Sequence, residues 1–187
     1  MKRFFFTLAI IAVAAISAIA QNKLTKEYKF GKITSIEASS VYDIEVTQGN
    51  SGTVKVVYDE FFKDRLMVNY INGKLNLEVA STKMRNNNRN IEGIKVYLQM
   101  PTIENLDLSG ASSLKAMGSF KTDELDVELS GASSISGLVI SGNGLSLDCS
   151  GASTLNLKGD FKTIEAEISG ASEIVLNSNS TVFEGEF

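Results

Sequence analysis

Hydrophobic and polar residues alternate in four short segments of the C-terminal half of the chain. In the first segment, Leu106 and Leu108 are apolar, whereas Asn105 and Asp107 are polar. Strict alternation with a period of two predicts a β-strand that has one buried face and one solvated face. The apolar positions of the other three segments are Val127 and Leu129, Leu147 and Cys149, and Ala166 and Ile168.

A motif of small residues directly follows each of these segments. Ser-Gly-Ala-Ser begins at Ser109, Ser130, Ser150 and Ser169, so successive copies lie 21, 20 and 19 residues apart. Because glycine tolerates a positive φ, and Ala and Ser are small enough to stack on their counterparts, the motif predicts a tight corner. A second short apolar stretch follows each corner, so each copy indicates a strand, a corner, a second strand and a turn.

The repeat predicts an all-β fold class, a single-domain β-helix or β-solenoid with coils of about 20 residues. Coils stacked at about 4.8 Å would bury a continuous apolar core. Residues 21–100 lack the motif, but alternating or apolar stretches such as Ser40–Val46 and Lys74–Val79 also indicate strands. We expect this β-rich N-terminal half to continue or cap the solenoid, whose repeat half spans residues 101–187.

The first twenty residues have the pattern of a secretory signal peptide. Lys2 and Arg3 precede an apolar stretch, and the small-residue sequence Ala18-Ile19-Ala20 ends it. We therefore expect residues 1–20 to be removed after Ala20, in preference to serving as a membrane anchor. No later segment has the length and hydrophobicity of a transmembrane helix. The signal peptide predicts an exported protein of the periplasm, the cell surface or the extracellular space.

Charge is distributed unevenly along the predicted mature chain. Residues 21–187 contain 16 basic and 22 acidic residues, a net charge of −6, and this balance disfavours nucleic acid as a partner. The two halves differ, with about +3 for residues 21–100 and −9 for residues 101–187. The second half is therefore expected to present an anionic surface.

The reactive residue types are few. Cys149 is the single cysteine and cannot form an internal disulfide, and there is no histidine to activate it. Because its equivalents in the other copies are Leu or Ile, we interpret Cys149 as a core residue rather than a nucleophile. The sequence indicates no catalytic, cofactor-binding or metal-binding residues, and no cofactor.

One acidic residue occurs at the same place in every copy and forms the strongest candidate surface feature. Stacked copies would align these residues, which we call the acidic column: Asp107, Glu128, Asp148 and Glu167. Carboxylates can bind Ca²⁺. The repeats lack the Gly-Gly-x-Gly-x-Asp pattern of calcium-binding rolls, however, which favours a solvated face that protects the strands from aggregation.

Two further segments carry expectations of their own. The polar, basic stretch Lys83–Asn90 is expected to be a solvated loop. A fifth copy of the motif would begin near residue 188, after the chain ends at Phe187. This spacing predicts an unfinished last coil, which would reflect a truncated chain or a strand that pairs with another chain.

Several stretches together resemble one protein family. They are Phe30–Ile33, Val41–Gly49, Gly73–Leu75, Met100–Pro101 and the four Ser-Gly-Ala-Ser copies. The chain resembles the autotransporter-adhesin proteins with a head GIN domain that are common in Bacteroidetes. The resemblance implies a β-helical exported protein with an adhesive role, no established activity and no catalytic residues.

The resulting functional prediction is a non-enzymatic cell-envelope protein that acts as an adhesin or binding module through a repetitive surface. A glycan or a cell-envelope protein is the expected partner. One alternative is a structural protein that self-associates through an open C-terminal edge. A second alternative, a polysaccharide-active enzyme, is disfavoured because the chain lacks His and Trp and its repeats lack Arg.

Overall fold

The computed structural model describes residues 23–80 and 93–186. The predicted signal peptide, the predicted loop Lys83–Asn90 and Phe187 lie outside the described residues. The part of the chain that is described contains no helix long and apolar enough to cross a lipid bilayer.

The described residues form sixteen β-strands and one short 3₁₀ helix. The N-terminal strands are β1 (Lys23–Lys29), β2 (Ser35–Ser40), β3 (Tyr42–Gln48), β4 (Thr53–Asp59), β5 (Leu66–Ile71), β6 (Lys74–Val79) and β7 (Ile94–Met100), with the 3₁₀ helix at Glu60–Phe62. The C-terminal strands are β8 (Asn105–Gly110), β9 (Ser113–Met117), β10 (Ser119–Lys121), β11 (Glu124–Leu129), β12 (Ser134–Cys149), β13 (Thr154–Lys158), β14 (Phe161–Ile168), β15 (Glu173–Asn177) and β16 (Val182–Glu186).

All strands belong to one sheet, and β12 connects its two sides. The longest path of paired strands has the order β1-β4-β7-β3-β9-β12-β11-β8-β2-β6-β5. We call the side from β1 to β12 layer A and the side from β12 to β5 layer B. Beyond β12, β13 and β15 extend layer A, whereas β14 and β16 extend layer B.

The fold class expected from the repeat, a β-helix or β-solenoid, is wrong. The strands form a curled, open half-barrel sheet with an eleven-strand path. This path contains three antiparallel strand pairs, which are β1 with β4, β4 with β7, and β5 with β6. The strands at its two ends are β1 and β5. The physical reason for the error is that a sequence period determines which neighbouring strands pair in register, but not how the whole sheet curves or closes.

Alternation places the apolar residues inside the curled sheet. In layer B, Leu106 lies opposite Val127, which lies opposite Leu147 and then Ala166, and all four are buried. The resulting hydrophobic cluster includes residues of both halves of the chain, such as Val54 of β4. The polar residues between these positions consequently lie on the outer face.

The small-residue corners stack directly on one another. Gly110, Gly131, Gly151 and Gly170 all have φ between 72° and 77°. A Cβ added to Gly131 would lie 2.6 Å from the carbonyl oxygen of Gly110, so only glycine fits the approach between successive corners. The final serine of the motif closes the corner, because Ser133 Oγ donates to the carbonyl of Ser130 over 2.7 Å.

Candidate functional site

The outer face of layer B brings the four residues of the acidic column together. Asp107 lies opposite Glu128, Glu128 opposite Asp148, and Asp148 opposite Glu167. The strands are parallel neighbours, so successive Cα positions are about 4.8 Å apart. One carboxylate per strand therefore forms a row across the sheet.

One residue of the N-terminal half, which the repeat did not identify, extends this row, and a second residue forms an ion pair with it. Glu37 of β2 lies opposite Asp107. Lys74 of β6 forms an ion pair with Glu37, with Lys74 Nζ 2.5 Å from Glu37 Oε2. The alternation of Ile36, Glu37 and Ala38 is the signal that could have identified β2, although its corner is Ser39-Ser40 rather than the motif.

The electrostatics of the row are strongest near Asp107. Burial raises the pKa of Asp107, the neighbouring Glu37 carboxylate raises it further, and Lys74 acts in the opposite direction. The pKa of Lys74 is also raised, mainly by its hydrogen bond to Glu37, with the charges of Asp107 and Glu128 contributing less. Lys74 therefore neutralises one end of the row, next to Glu37 and Asp107.

A second column of polar residues lies beside the first. Asp126, Ser146, Glu165 and Glu184 are opposite one another on consecutive strands. A shallow groove of about 280 Å³ lies along both columns from β11 to β14. The groove is therefore lined on both sides by carboxylates.

A larger depression adjoins this groove at the turn between β10 and β11. It has a volume of about 510 Å³ and shares Asp126 with the groove. Glu104, Asp123 and Glu124 line it, and Lys121 is its cationic residue. The two depressions form one continuous, predominantly anionic surface.

The carboxylates of the acidic column lie in a row and not around a single point. Among the described residues, no group of three or more His, Cys, Asp or Glu side chains is placed to hold a metal ion. The acidic column is a row along parallel strands, whereas Ca²⁺ requires six to eight oxygen ligands around one point. The surface is suited to an extended ligand.

Cys149 lies on β12 next to Asp148, but its side chain is on the inner face of the sheet, in the core. It is fully buried, between Leu129 and Ile168 in the register of the sheet. Burial, with a smaller contribution from Asp148, raises the pKa of its thiol to about 11. A protonated, buried thiol is a poor nucleophile.

Comparisons with known proteins agree with the all-β fold. The chain is similar to a putative adhesin from Parabacteroides distasonis, with a TM-score of 0.58, 13% identity, and coverage of 88% of this chain and 82% of that chain. It is also similar to a putative adhesin from Bacteroides fragilis, with a TM-score of 0.56, 16% identity, and coverage of 89% and 93%, respectively. No curated protein matches the chain significantly.

The family assignment rests on a match along most of the chain. Residues 32–178 match the family described as "Putative auto-transporter adhesin, head GIN domain". The matched range includes β2 to β15, and with them both layers of the sheet and the acidic column. The chain therefore belongs to this head GIN domain family.

Proposed function

We propose that this protein is an exported, non-catalytic binding protein of the bacterial cell envelope, and that the anionic outer face of layer B attaches it to an amine-bearing glycan polymer. The single observation that carries the proposal is the register of the acidic column, which places one carboxylate on each consecutive strand. The family description supports an adhesive role. The predicted signal peptide supports export to the periplasm or the cell surface.

The ligand class follows from the charge and shape of the surface. Carboxylates repeated at about 4.8 Å match a ligand that also presents cations at regular intervals. Each exposed ion pair contributes only about 0.2–1 kcal/mol, so several pairs must form together. A flexible polyamine glycan can make such contacts with Glu128, Asp148 and Glu167 along one groove.

The environment of the carboxylates supports binding rather than catalysis. Acid and base catalysts usually come as groups whose surroundings move their pKa values apart. Here Glu128, Asp148 and Glu167 recur at the same register position on successive strands, and the chain has no histidine. This regularity favours a repeated contact surface over one reactive centre.

Binding to chitosan oligomers tests the proposal, because their N-acetylated counterparts have the same backbone without the positive charge. Isothermal titration calorimetry at low salt is expected to detect binding of the chitosan oligomer alone. The variant Glu128→Gln/Asp148→Asn/Glu167→Gln should weaken binding by about tenfold or more, since three ion pairs are lost.

A charge-matched control separates local contacts from net charge. Asp43→Asn/Glu45→Gln/Glu60→Gln removes three carboxylates outside layer B, since Asp43 and Glu45 lie on the outer face of β3 and Glu60 is exposed in the 3₁₀ helix after β4. This variant should bind chitosan as the unmodified protein does. Equal weakening by the two triple variants, or equal binding of acetylated and deacetylated oligomers, would show that the layer B surface is not the site.

A further inference from the structure

The row of carboxylates on layer B is longer than the groove beside it. Glu37 lies opposite Asp107, and Asp107 lies opposite Glu128, so Glu37 and the acidic column form one row of five carboxylates on β2, β8, β11, β12 and β14. The residues that line the groove come from β11, β12 and β14. The part of the row on β2 and β8, which we call the Glu37 end, therefore continues beyond the groove.

The side chain of Lys74 reaches the Glu37 end from the neighbouring strand β6. Its Cα lies opposite Ser35, two residues before Glu37 on the same face of β2, and its Nζ lies 2.5 Å from Glu37 Oε2. The pKa of Lys74 is raised, mainly by its hydrogen bond to Glu37 and less by the charges of Asp107 and Glu128. The ammonium group therefore interacts with three successive carboxylates of the row.

Two amide oxygens beside Glu37 have no hydrogen-bond partner among the described residues. They are Asn76 Oδ1 and Asn105 Oδ1, and both atoms are buried although their residues alternate with core residues on the outer face. Asn76 lies opposite Glu37, and Asn105 lies opposite Ser35 on the side of β2 away from Lys74. Since buried acceptors are usually paired, the Glu37 end has acceptors available for further N–H donors.

An ammonium group is the ligand that fits this end of the row. The carboxylates of Glu37 and Asp107 supply negative charge, and the two amide oxygens supply neutral acceptors beside them. An ammonium group has three N–H donors and no acceptor. Lys74 supplies such a group from within the chain, and an amine-bearing glycan supplies it from outside. The lysine and the glycan therefore compete for the same carboxylates.

The ion pair of Lys74 is exposed enough for a ligand to replace it. The side chains of Lys74 and Glu37 are 45% and 33% exposed, so water screens the pair. A comparable pair lies on layer A, where Lys95 Nζ is 3.8 Å from Asp43 Oδ2 and the two side chains are 47% and 48% exposed. Exposed pairs of this kind contribute little to stability, so removing either lysine should leave the fold intact.

We propose that the Glu37 end is a further subsite for an amine, and that Lys74 fills it as an internal ligand which limits how far along the row the glycan binds. This inference rests on the proposed function, because the ligand is the same polyamine glycan. In the unmodified protein, the glycan forms its ion pairs along the groove from β11 to β14. Without Lys74, a sufficiently long glycan also reaches Asp107 and Glu37 and forms additional ion pairs.

Calorimetry with chitosan oligomers of increasing length tests the subsite. An oligomer that contacts all five strands must span about 19 Å, which is four inter-strand spacings. Oligomers of at least this length should bind Lys74→Met about three- to tenfold more tightly than the unmodified protein, because two carboxylates become available. The shortest oligomers that bind should differ by less than about twofold between the two proteins, since they fit within the groove.

Two control variants separate a local effect from a change in net charge. Lys74→Arg keeps the cation beside Glu37 and should bind oligomers of every length as the unmodified protein does. Lys95→Met removes the same charge as Lys74→Met, from a pair of similar exposure on layer A, and should leave the affinity unchanged. Circular dichroism checks that each variant is folded.

Three results would overturn the subsite and leave the proposed function standing. The first is equal binding of long oligomers by Lys74→Met and the unmodified protein. The second is an equal gain in affinity for Lys95→Met, and the third is the same gain for oligomers of every length, because either result would assign the effect to net charge. If neither Lys74→Met nor the unmodified protein binds chitosan of any length, the proposed function and the subsite are both wrong.

Discussion

Replacing Gly131 by alanine tests the close stacking of the corners. Gly131 has φ of +72°, a left-handed conformation that costs alanine about 1–2 kcal/mol. The new Cβ would lie 2.6 Å from the carbonyl oxygen of Gly110, which also accepts a hydrogen bond from Ala132 over 2.8 Å. Moving the two corners apart to relieve this contact weakens one or two backbone hydrogen bonds, each contributing about 1 kcal/mol.

The expected total loss for Gly131→Ala is about 2–4 kcal/mol in the free energy of unfolding. For a domain of this size, this loss lowers the melting temperature by about 4–16 °C. Thermal unfolding followed by circular dichroism measures the shift. Because the strands flanking the corner belong to the paired interior of the sheet, the loss should affect the whole cooperative transition.

Gly73→Ala is the control that separates backbone conformation from close approach. Gly73 has φ of +90°, but its added Cβ would meet Thr34 Oγ1 at 3.1 Å and no backbone atom closer than 3.7 Å. Gly73→Ala should therefore lower the free energy of unfolding only by the cost of the left-handed backbone conformation, about 1–2 kcal/mol. Equal losses of stability for the two substitutions would refute the argument that stacked corners, rather than φ alone, require glycine.

Two further predictions concern titratable groups. Cys149 should react with a thiol reagent at pH 8 only after denaturation, because burial raises its pKa to about 11 and excludes the reagent. The reaction is followed by absorbance, and rapid labelling of the folded protein would contradict this prediction. The pKa of Asp107 is raised in the folded protein, so its ionised carboxylate lowers the stability of the folded state at neutral pH. As the pH falls through this raised pKa, the carboxylate is protonated in the folded state and the loss of stability disappears. Asp107→Asn should therefore increase the free energy of unfolding measured in urea at pH 7, and this free energy should depend less on pH in the acid range. A loss of stability at pH 7 would show that the carboxylate stabilises the folded protein.

Strand positions and side-chain directions in the repeat half could be predicted from the sequence, because they depend on a local period of two. The alignment of the motif copies also predicts neighbours: the four residues of the acidic column are opposite one another, as are the apolar positions Leu106, Val127 and Leu147. The glycines at the corners allow successive copies to stack in this register, because a side chain at any of them would meet the backbone of the preceding corner.

Only the tertiary structure determined how the sheet curls and which distant strands meet. The N-terminal half has no repeated motif, so nothing local indicates that β2 lies between β6 and β8, or that Glu37 continues the acidic column and pairs with Lys74. The antiparallel strands that end the eleven-strand path likewise follow from long-range pairing. Periodicity specifies the register between adjacent strands, whereas curvature and the edges of an open sheet depend on how all the strands pack around one core.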